Sequence, residues 1–229
     1  MTSSDQTRRL TFEYWSDPLC IWAYVAQPRL DAVLARYGNA LDVRYHVVPV
    51  FGSVPWRFRE GSWAKSGVGG RVAATQKVAA RFGHDDITGA CWRDDCPASS
   101  WAPGMAIKAV FELEDSGKLE PGRGAAYQWA LRRAFFEDNR NIALRDVQLD
   151  VARAEGIETT PITRLLDDGT ALALLWEDDN LRNDNRIQGS PTYVFDGGRA
   201  RLYGNFNERV LQSTVAELLA DLVGGASAC

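Results

Sequence analysis

The sequence predicts a mixed α/β chain in which a β-α-β unit at the start and a β-β-α unit at the end are separated by a long, all-helical stretch. Three observations carry that expectation. An apolar, β-type run, Leu10-Thr11-Phe12-Glu13-Tyr14-Trp15, passes through a turn into a helical run with Val25, Leu30, Val33 and Leu34. Residues 71–186 lack convincing strands and show helical periodicity broken by Gly, Pro and Asn. Gly189-Ser190-Pro191 then leads into Thr192-Tyr193-Val194-Phe195, a second β-type run. The chain has 229 residues, 45% hydrophobic and 24% charged, which suits one large core or a core plus an inserted subdomain.

Taken in order, residues 8–16 are expected as the first strand and 20–36 as the first helix. The helix stops at Tyr37-Gly38-Asn39, with Gly on the C-terminal side. Residues 41–50 alternate and are rich in Val and Tyr, so they are expected as a second strand. It lies parallel to the first, because a crossover helix joins them. Residues 51–70 are expected as a loop, holding Pro55, Trp56, Arg57 and Trp63 in irregular order. Its Gly67-Val68-Gly69-Gly70 cluster lacks both the P-loop lysine and the dinucleotide spacing, so a flexible turn is expected there. Helices are expected over 71–82, 102–114, 124–137, 146–155 and 161–182. Thr192 to Phe195 is a strand, Asp196-Gly197-Gly198 a hairpin turn, 199–203 the return strand, and 207–223 an amphipathic closing helix.

Charge and composition exclude some classes. The net charge of −4 does not favour nucleic-acid binding. Residues 1–9 are polar, without the apolar core of a signal peptide, and no run approaches membrane-span length. A cytoplasmic protein that binds neither nucleic acid nor membrane is expected. Its cysteines, Cys20, Cys91, Cys96 and Cys229, then belong to a reducing compartment, where reactive or inert thiols are the default.

Cys20 falls where strand gives way to helix. There its sulfur sits near unpaired helix N–H groups and the positive end of the dipole, which favours the thiolate. Pro18, in Ser16-Asp17-Pro18, cannot extend a strand ladder but suits a first helical turn. The competing reading of a lone cysteine after a strand is a small buried hydrophobe. Ser16-Asp17-Pro18-Leu19-Cys20-x-Trp22-x-Tyr24 resembles the active-site loop of the DsbA-like thiol oxidoreductases, in particular their cytosolic branch with a helical insertion. That branch is similar to the kappa-class glutathione transferases and the hydroxychromene-carboxylate isomerases. The resemblance implies a thioredoxin-like fold with an inserted all-helical subdomain. Its thioredoxin-like part would be 1–60 and 187–229, and the insertion 61–186. Gly189-Ser190-Pro191-Thr192 is similar to the cis-proline loop of that family. The resemblance therefore implies a cis Ser190–Pro191 bond facing Cys20, with Trp22, Ala23, Ser190, Pro191 and Thr192 at the substrate. The Ser190 hydroxyl is expected to be able to touch the sulfur. Glu13 resembles the acid that handles the thiol proton beneath the site in part of the family. From the residues alone, an edge-strand Glu13 facing solvent is an equal alternative.

The chain departs from the family at position 23. The usual motif there is Cys-Pro-Trp-Cys, and this chain has Cys20-Ile21-Trp22-Ala23. A dithiol protein resolves its mixed disulfide with the second cysteine, and Ala23 has no sulfur to do so. Resolution then needs a low-molecular-weight thiol, a partner protein or another cysteine of the chain. Cys91 and Cys96 are the internal candidates, either as a second redox pair or as two structural thiols in a helical connection. A zinc site is not expected, since His46 and His84 are the only histidines. Trp15, Trp22, Trp56, Trp63, Trp92 and Trp101 are expected as core contacts, or as the rim of an apolar cleft for a bulky substrate.

Three functions fit these residues. The first is a thiol-disulfide oxidoreductase working through the single cysteine. The second is a transferase or isomerase that sets a low-molecular-weight thiol against an electrophile. The third is a non-catalytic module that binds a peptide or partner through the proline loop. No tightly bound cofactor is expected, and a low-molecular-weight thiol is a candidate co-substrate. The substrate would be a small-molecule or peptide thiol or disulfide, and a homodimer stays open.

Overall fold

A computed structural model describes residues 9–224 of the chain. Residue 8 of the expected first strand, and Cys229, lie outside the described residues. Strand β1 (Leu10–Ser16) is followed by α1 (Ile21–Tyr37) and β2 (Leu41–Val47). Next come α2 (Val54–Arg59), α3 (Gly67–Arg81), α4 (Trp101–Asp115), α5 (Arg123–Phe136), α6 (Arg145–Ala154), α7 (Thr159–Asp167) and α8 (Thr170–Asp184). The chain returns through β3 (Thr192–Phe195) and β4 (Ala200–Tyr203) to α9 (Glu208–Gly224). The sheet order is β2-β1-β3-β4. β1 runs parallel to β2, with Tyr14 opposite Tyr45, and antiparallel to β3, with Tyr14 opposite Tyr193. This is the thioredoxin-like α/β arrangement.

Alternation along β1 assigns its two faces. Phe12 and Tyr14 pack with Leu30 and Val33 of α1 and with Leu211, Val215 and Leu218 of α9. Each such buried aliphatic side chain contributes about 1.5–3 kcal/mol. Trp15 points the other way, onto Val48, Ile187 and Val194. The helices between β2 and β3 share one core with the N-terminal half of α1, from Leu19 to Val25. Helix α4 is central to that core. Its Gly104 lies so close to Leu175 of α8 and Val47 of β2 that an added Cβ would be 3.0 and 3.1 Å from their methyl carbons. That core ties the start of α1, and hence Cys20, to the helical stretch.

Four expectations need correction. β2 ends at Val47 rather than at residue 50. Residues 51–70 are not all loop, because α2 begins at the Ser53 cap, whose Oγ accepts from the Trp56 N–H. Only Val54 of α2 is buried, so the helix leaves no apolar stripe to read. The Gly67–Gly70 cluster is the first turn of α3, not a flexible turn; Gly67 enters it at φ +62°. The expected helix over 161–182 is two, because Gly169 at φ +85° separates α7 from α8.

Candidate thiol site

Cys20 is the residue before α1, with extended backbone, and its carbonyl accepts from the N–H groups of Ala23 and Tyr24 at 3.1 Å. The side chain is buried, only 5% exposed. Its thiol donates to the Ser190 carbonyl at 3.2 Å. The Ser190–Pro191 peptide is cis. The Ser190 hydroxyl accepts from the Asp17 N–H at 2.8 Å, so the proline loop and the turn before Cys20 are bonded twice.

The electrostatics reverse the sequence expectation for Cys20. Burial pushes its pKa up, against contributions from the Ser190 side chain and the Ala23 and Trp22 N–H groups that lower it. Asp17 pushes it further up. A helix N-terminus favours a thiolate, but desolvation of this sulfur outweighs it. The resting sulfur is a protonated donor, as its bond to a carbonyl requires.

The buried acid of this site is Asp17, not Glu13. Glu13 is only half-buried, on the sheet face that carries Trp15, and its carboxylate accepts from Trp15 Nε1 at 3.2 Å. Asp17 has no exposed surface. Its two oxygens accept from the Leu19 N–H at 2.7 Å and the Phe51 N–H at 3.0 Å. Burial nonetheless raises its pKa to about 6, with those bonds and Arg132 opposing. Below lies a polar floor, in which the Ser16 hydroxyl accepts from Gln128 Nε2 at 2.9 Å and from Arg132 Nη2 at 2.5 Å. Arg132 is 1% exposed. Gln128 and Arg132 could have been found from the sequence, since they recur with Leu131, Phe135 and Phe136 on one helical face. Asp17 was in view only as part of a turn.

Other expected site residues separate. Trp22 (38% exposed) and Ser190 line a cleft of about 380 Å³ with Arg81, Phe82, Tyr203, Gly204 and Asn205. Ala23 and Pro191 are buried, and the buried Thr192 turns its hydroxyl to the Gly189 carbonyl at 2.7 Å. None of the three side chains lines the cleft. The tryptophans do not form one rim. Trp15 stacks on His46 at 4.0 Å on the sheet face away from α1, and Trp56 is exposed. Trp63 and Trp92 instead form an aromatic box with Phe51, at 5.3–5.9 Å between centroids. Cys91, beside Trp92, is fully buried, and Cys96 is partly buried; both are free thiols. Burial pushes each of them up to about 12. Among the described residues, no group of three or more His, Cys, Asp or Glu is placed to hold a metal ion. No described helix is long and apolar enough to cross a membrane.

Residues 112–216 match the family model of the DSBA-like thioredoxin domain. The cytosolic disulfide reductase DsbM from Pseudomonas aeruginosa, solved with GSH, is 25% identical. It superposes with a TM-score of 0.63 over 93% of this chain and 99% of its own. A 2-hydroxychromene-2-carboxylate isomerase is 18% identical, with a TM-score of 0.65 over 95% of this chain and 100% of its own. The ClpXP adapter protein SpxH of Halalkalibacterium halodurans is 25% identical over 193 residues, 83% of this chain. This chain spans 60% of the length of that curated relative.

Proposed function

We propose that this chain, whose fold is that of the DsbA-like thioredoxin domains, is a thiol-disulfide oxidoreductase that attacks its substrate through one cysteine, Cys20. The observation that carries this reading is the Cys20 thiol held 3.2 Å from the Ser190 carbonyl, beside the Trp22–Ser190 cleft. An extended substrate that pairs with the Ser190 backbone competes for that carbonyl. The thiol then loses its acceptor while the Ala23 and Trp22 N–H groups still favour the thiolate. Docking and activation are thereby coupled.

In the first step the Cys20 thiolate attacks one sulfur of a substrate disulfide. A Cys20–substrate disulfide forms, and the other substrate sulfur leaves as a thiolate and takes a proton. Ala23 offers only a methyl group, so a further thiol makes the second displacement. The natural setting of such chemistry is a reducing compartment, where a low-molecular-weight thiol is available as co-substrate. Likeness to a cytosolic disulfide reductase supports that placement.

Reduction of insulin or of a small disulfide, with and without added thiol, tests the reading. Wild-type protein accelerates it with thiol present, and Cys20→Ser returns it to the uncatalysed rate. A second reading, a partner-binding module, is favoured by Ala23 and by the likeness to an adapter protein. Saturable peptide binding at the cleft, unchanged in Cys20→Ser and without any turnover, would replace the first reading with the second.

A further inference from the structure

The cleft beside Ser190 is lined by donors and by no acid. Arg81, the last residue of α3, and Phe82 share its space of about 380 Å³ with Tyr203, Gly204 and Asn205. No Asp or Glu lines it, although the chain as a whole has 30 acidic residues against 26 Lys and Arg. Arg29 reaches the same wall from α1. Its guanidinium lies 5.0 Å from the Phe82 ring centroid, and that of Arg81 lies 5.7 Å from it. A ring face attracts a guanidinium but supplies no countercharge. Among the described residues, no ion pair reaches Arg29 or Arg81. Glu208 lines only the adjoining space on the Arg29 side, where its carboxylate accepts from Gln212 at 2.7 Å.

Asn205 adds an unmet donor. Arg29 Nη1 donates to its Oδ1 at 3.1 Å, which fixes the orientation of the amide. The Asn205 Nδ2 is left buried without an acceptor. A buried donor of this kind is destabilising until an acceptor meets it. The other walls are aromatic. Trp22 stands edge-on to Phe82 at 6.2 Å. The Tyr203 ring packs on the proline loop, where a Cβ at Gly189 would be 2.9 Å from its hydroxyl. Exposed rings beside a cation suit a side chain with an apolar stem and an anionic tip.

We infer that the substrate of this cleft is a peptide disulfide with an acidic side chain close to its cysteine, and that Arg81 and the Asn205 amide select it. The inference rests on the oxidoreductase reading of Cys20. Ser190 lines the cleft and also holds the Cys20 thiol at 3.2 Å, so the reacting sulfur and the donors share one boundary. A space of this volume is roughly 7 Å across, the length of two extended residues. The acidic residue therefore belongs one or two positions from the cysteine. Its carboxylate takes the Arg81 fork and the Asn205 N–H, both donors that the protein itself leaves unused. Disulfide exchange at Cys20 is unaltered; the carboxylate sets how readily a peptide is captured for it.

The test uses the full-length reduced protein and short cystine-linked peptides with Glu, Gln or Lys next to the cysteine. Their termini are acetylated and amidated, so only that side chain carries charge. Rates of Cys20 adduct formation are read by mass spectrometry at low peptide concentration. Each is divided by the rate of the same peptide with a small free thiol, which removes intrinsic reactivity. Wild type is expected to favour Glu over Gln by about tenfold at low salt, with Lys slowest. Added salt should shrink that preference. In Arg81→Gln the Glu/Gln ratio falls toward one, and Arg81→Lys keeps part of it. Asn205→Asp retains the acceptor for Arg29 but turns the free donor into a second anion, so the ratio falls there too. Each preference is a ratio within one protein, so partial unfolding of a variant does not mimic its loss. Equal rates for Glu and Gln in wild type, or a ratio that survives Arg81→Gln, overturns the inference and leaves the reading of Cys20 standing. Absence of a Cys20 adduct with every peptide overturns that reading, and this inference with it.

Discussion

The strand–helix junction and the aromatic box both bury charge, and they hold it differently. At the junction, Asp17 accepts two backbone N–H groups, Ser16 accepts from Arg132 and Gln128, and Ser190 closes on both Asp17 and Cys20. In the box, Arg71 stacks on three rings and leaves two nitrogens unbonded. The junction leaves the Arg132 Nε buried without a partner, yet anchors each of its charges by at least one hydrogen bond, which fixes geometry; the box holds the Arg71 charge against rings. Removing a junction hydrogen bond should therefore cost more stability than removing the Arg71 charge.

Asp17 should give the largest stability effect. Its folded pKa, about 6, lies above the ordinary 3.8, so folding favours the protonated acid. That contribution is fully present below the ordinary value and is lost as pH rises through 6. The loss is on the order of 3 kcal/mol across that window. Urea unfolding as a function of pH should show this fall in wild type and not in Asp17→Asn. A flat wild-type profile would remove Asp17 from the account.

Ser16→Ala comes next. It strips the shared acceptor from a buried guanidinium and a buried amide, and should cost about 2 kcal/mol by urea midpoint. A cost near zero would mean that Arg132 finds another acceptor.

The contrast between the regions also explains what the sequence made legible. Cys20, the turn before it and the proline loop are short, contiguous signals, and the β-α-β and β-β-α order could be read from strand periodicity and turn residues. The family resemblance points to Glu13 as the acid, and a solvent-facing edge-strand residue is the equal alternative. The pleat sends it to the Trp15 face, while Asp17, one residue past the strand, turns into the interior. Arg71 gave no signal at all. It follows a glycine cluster, and its partners Phe51, Trp63 and Trp92 come from three separate segments. The thiolate expected from the helix start missed for a similar reason. A dipole is local and readable, whereas desolvation depends on everything packed around the sulfur.

Cys20 reactivity sharpens that last point. Alkylation of the folded, ligand-free protein should be slower at neutral pH than that of a free cysteine, and should rise only above the ordinary thiol range. Asp17→Asn removes a charge that opposes the thiolate and should speed alkylation a few-fold. A rate already at its plateau at neutral pH would contradict the burial argument.

The smallest stability change should be in the box. Arg71→Met keeps much of the volume and exchanges an unpaired buried charge and its stacking for apolar packing, so the unfolding free energy from urea titration should change by less than about 1 kcal/mol in either direction. A large loss would mean that stacking on Trp63 and Trp92 holds the helical stretch together, and the two regions would then be alike.

The central claim, that Cys20 is the attacking sulfur, is tested most directly by peptide mass spectrometry of the Cys91→Ser/Cys96→Ser protein after exposure to a low-molecular-weight disulfide. The account predicts a mixed disulfide on Cys20 that accumulates and is released at a rate proportional to added thiol, because Ala23 cannot displace it. An unmodified Cys20 in protein that still reduces the disulfide would contradict it.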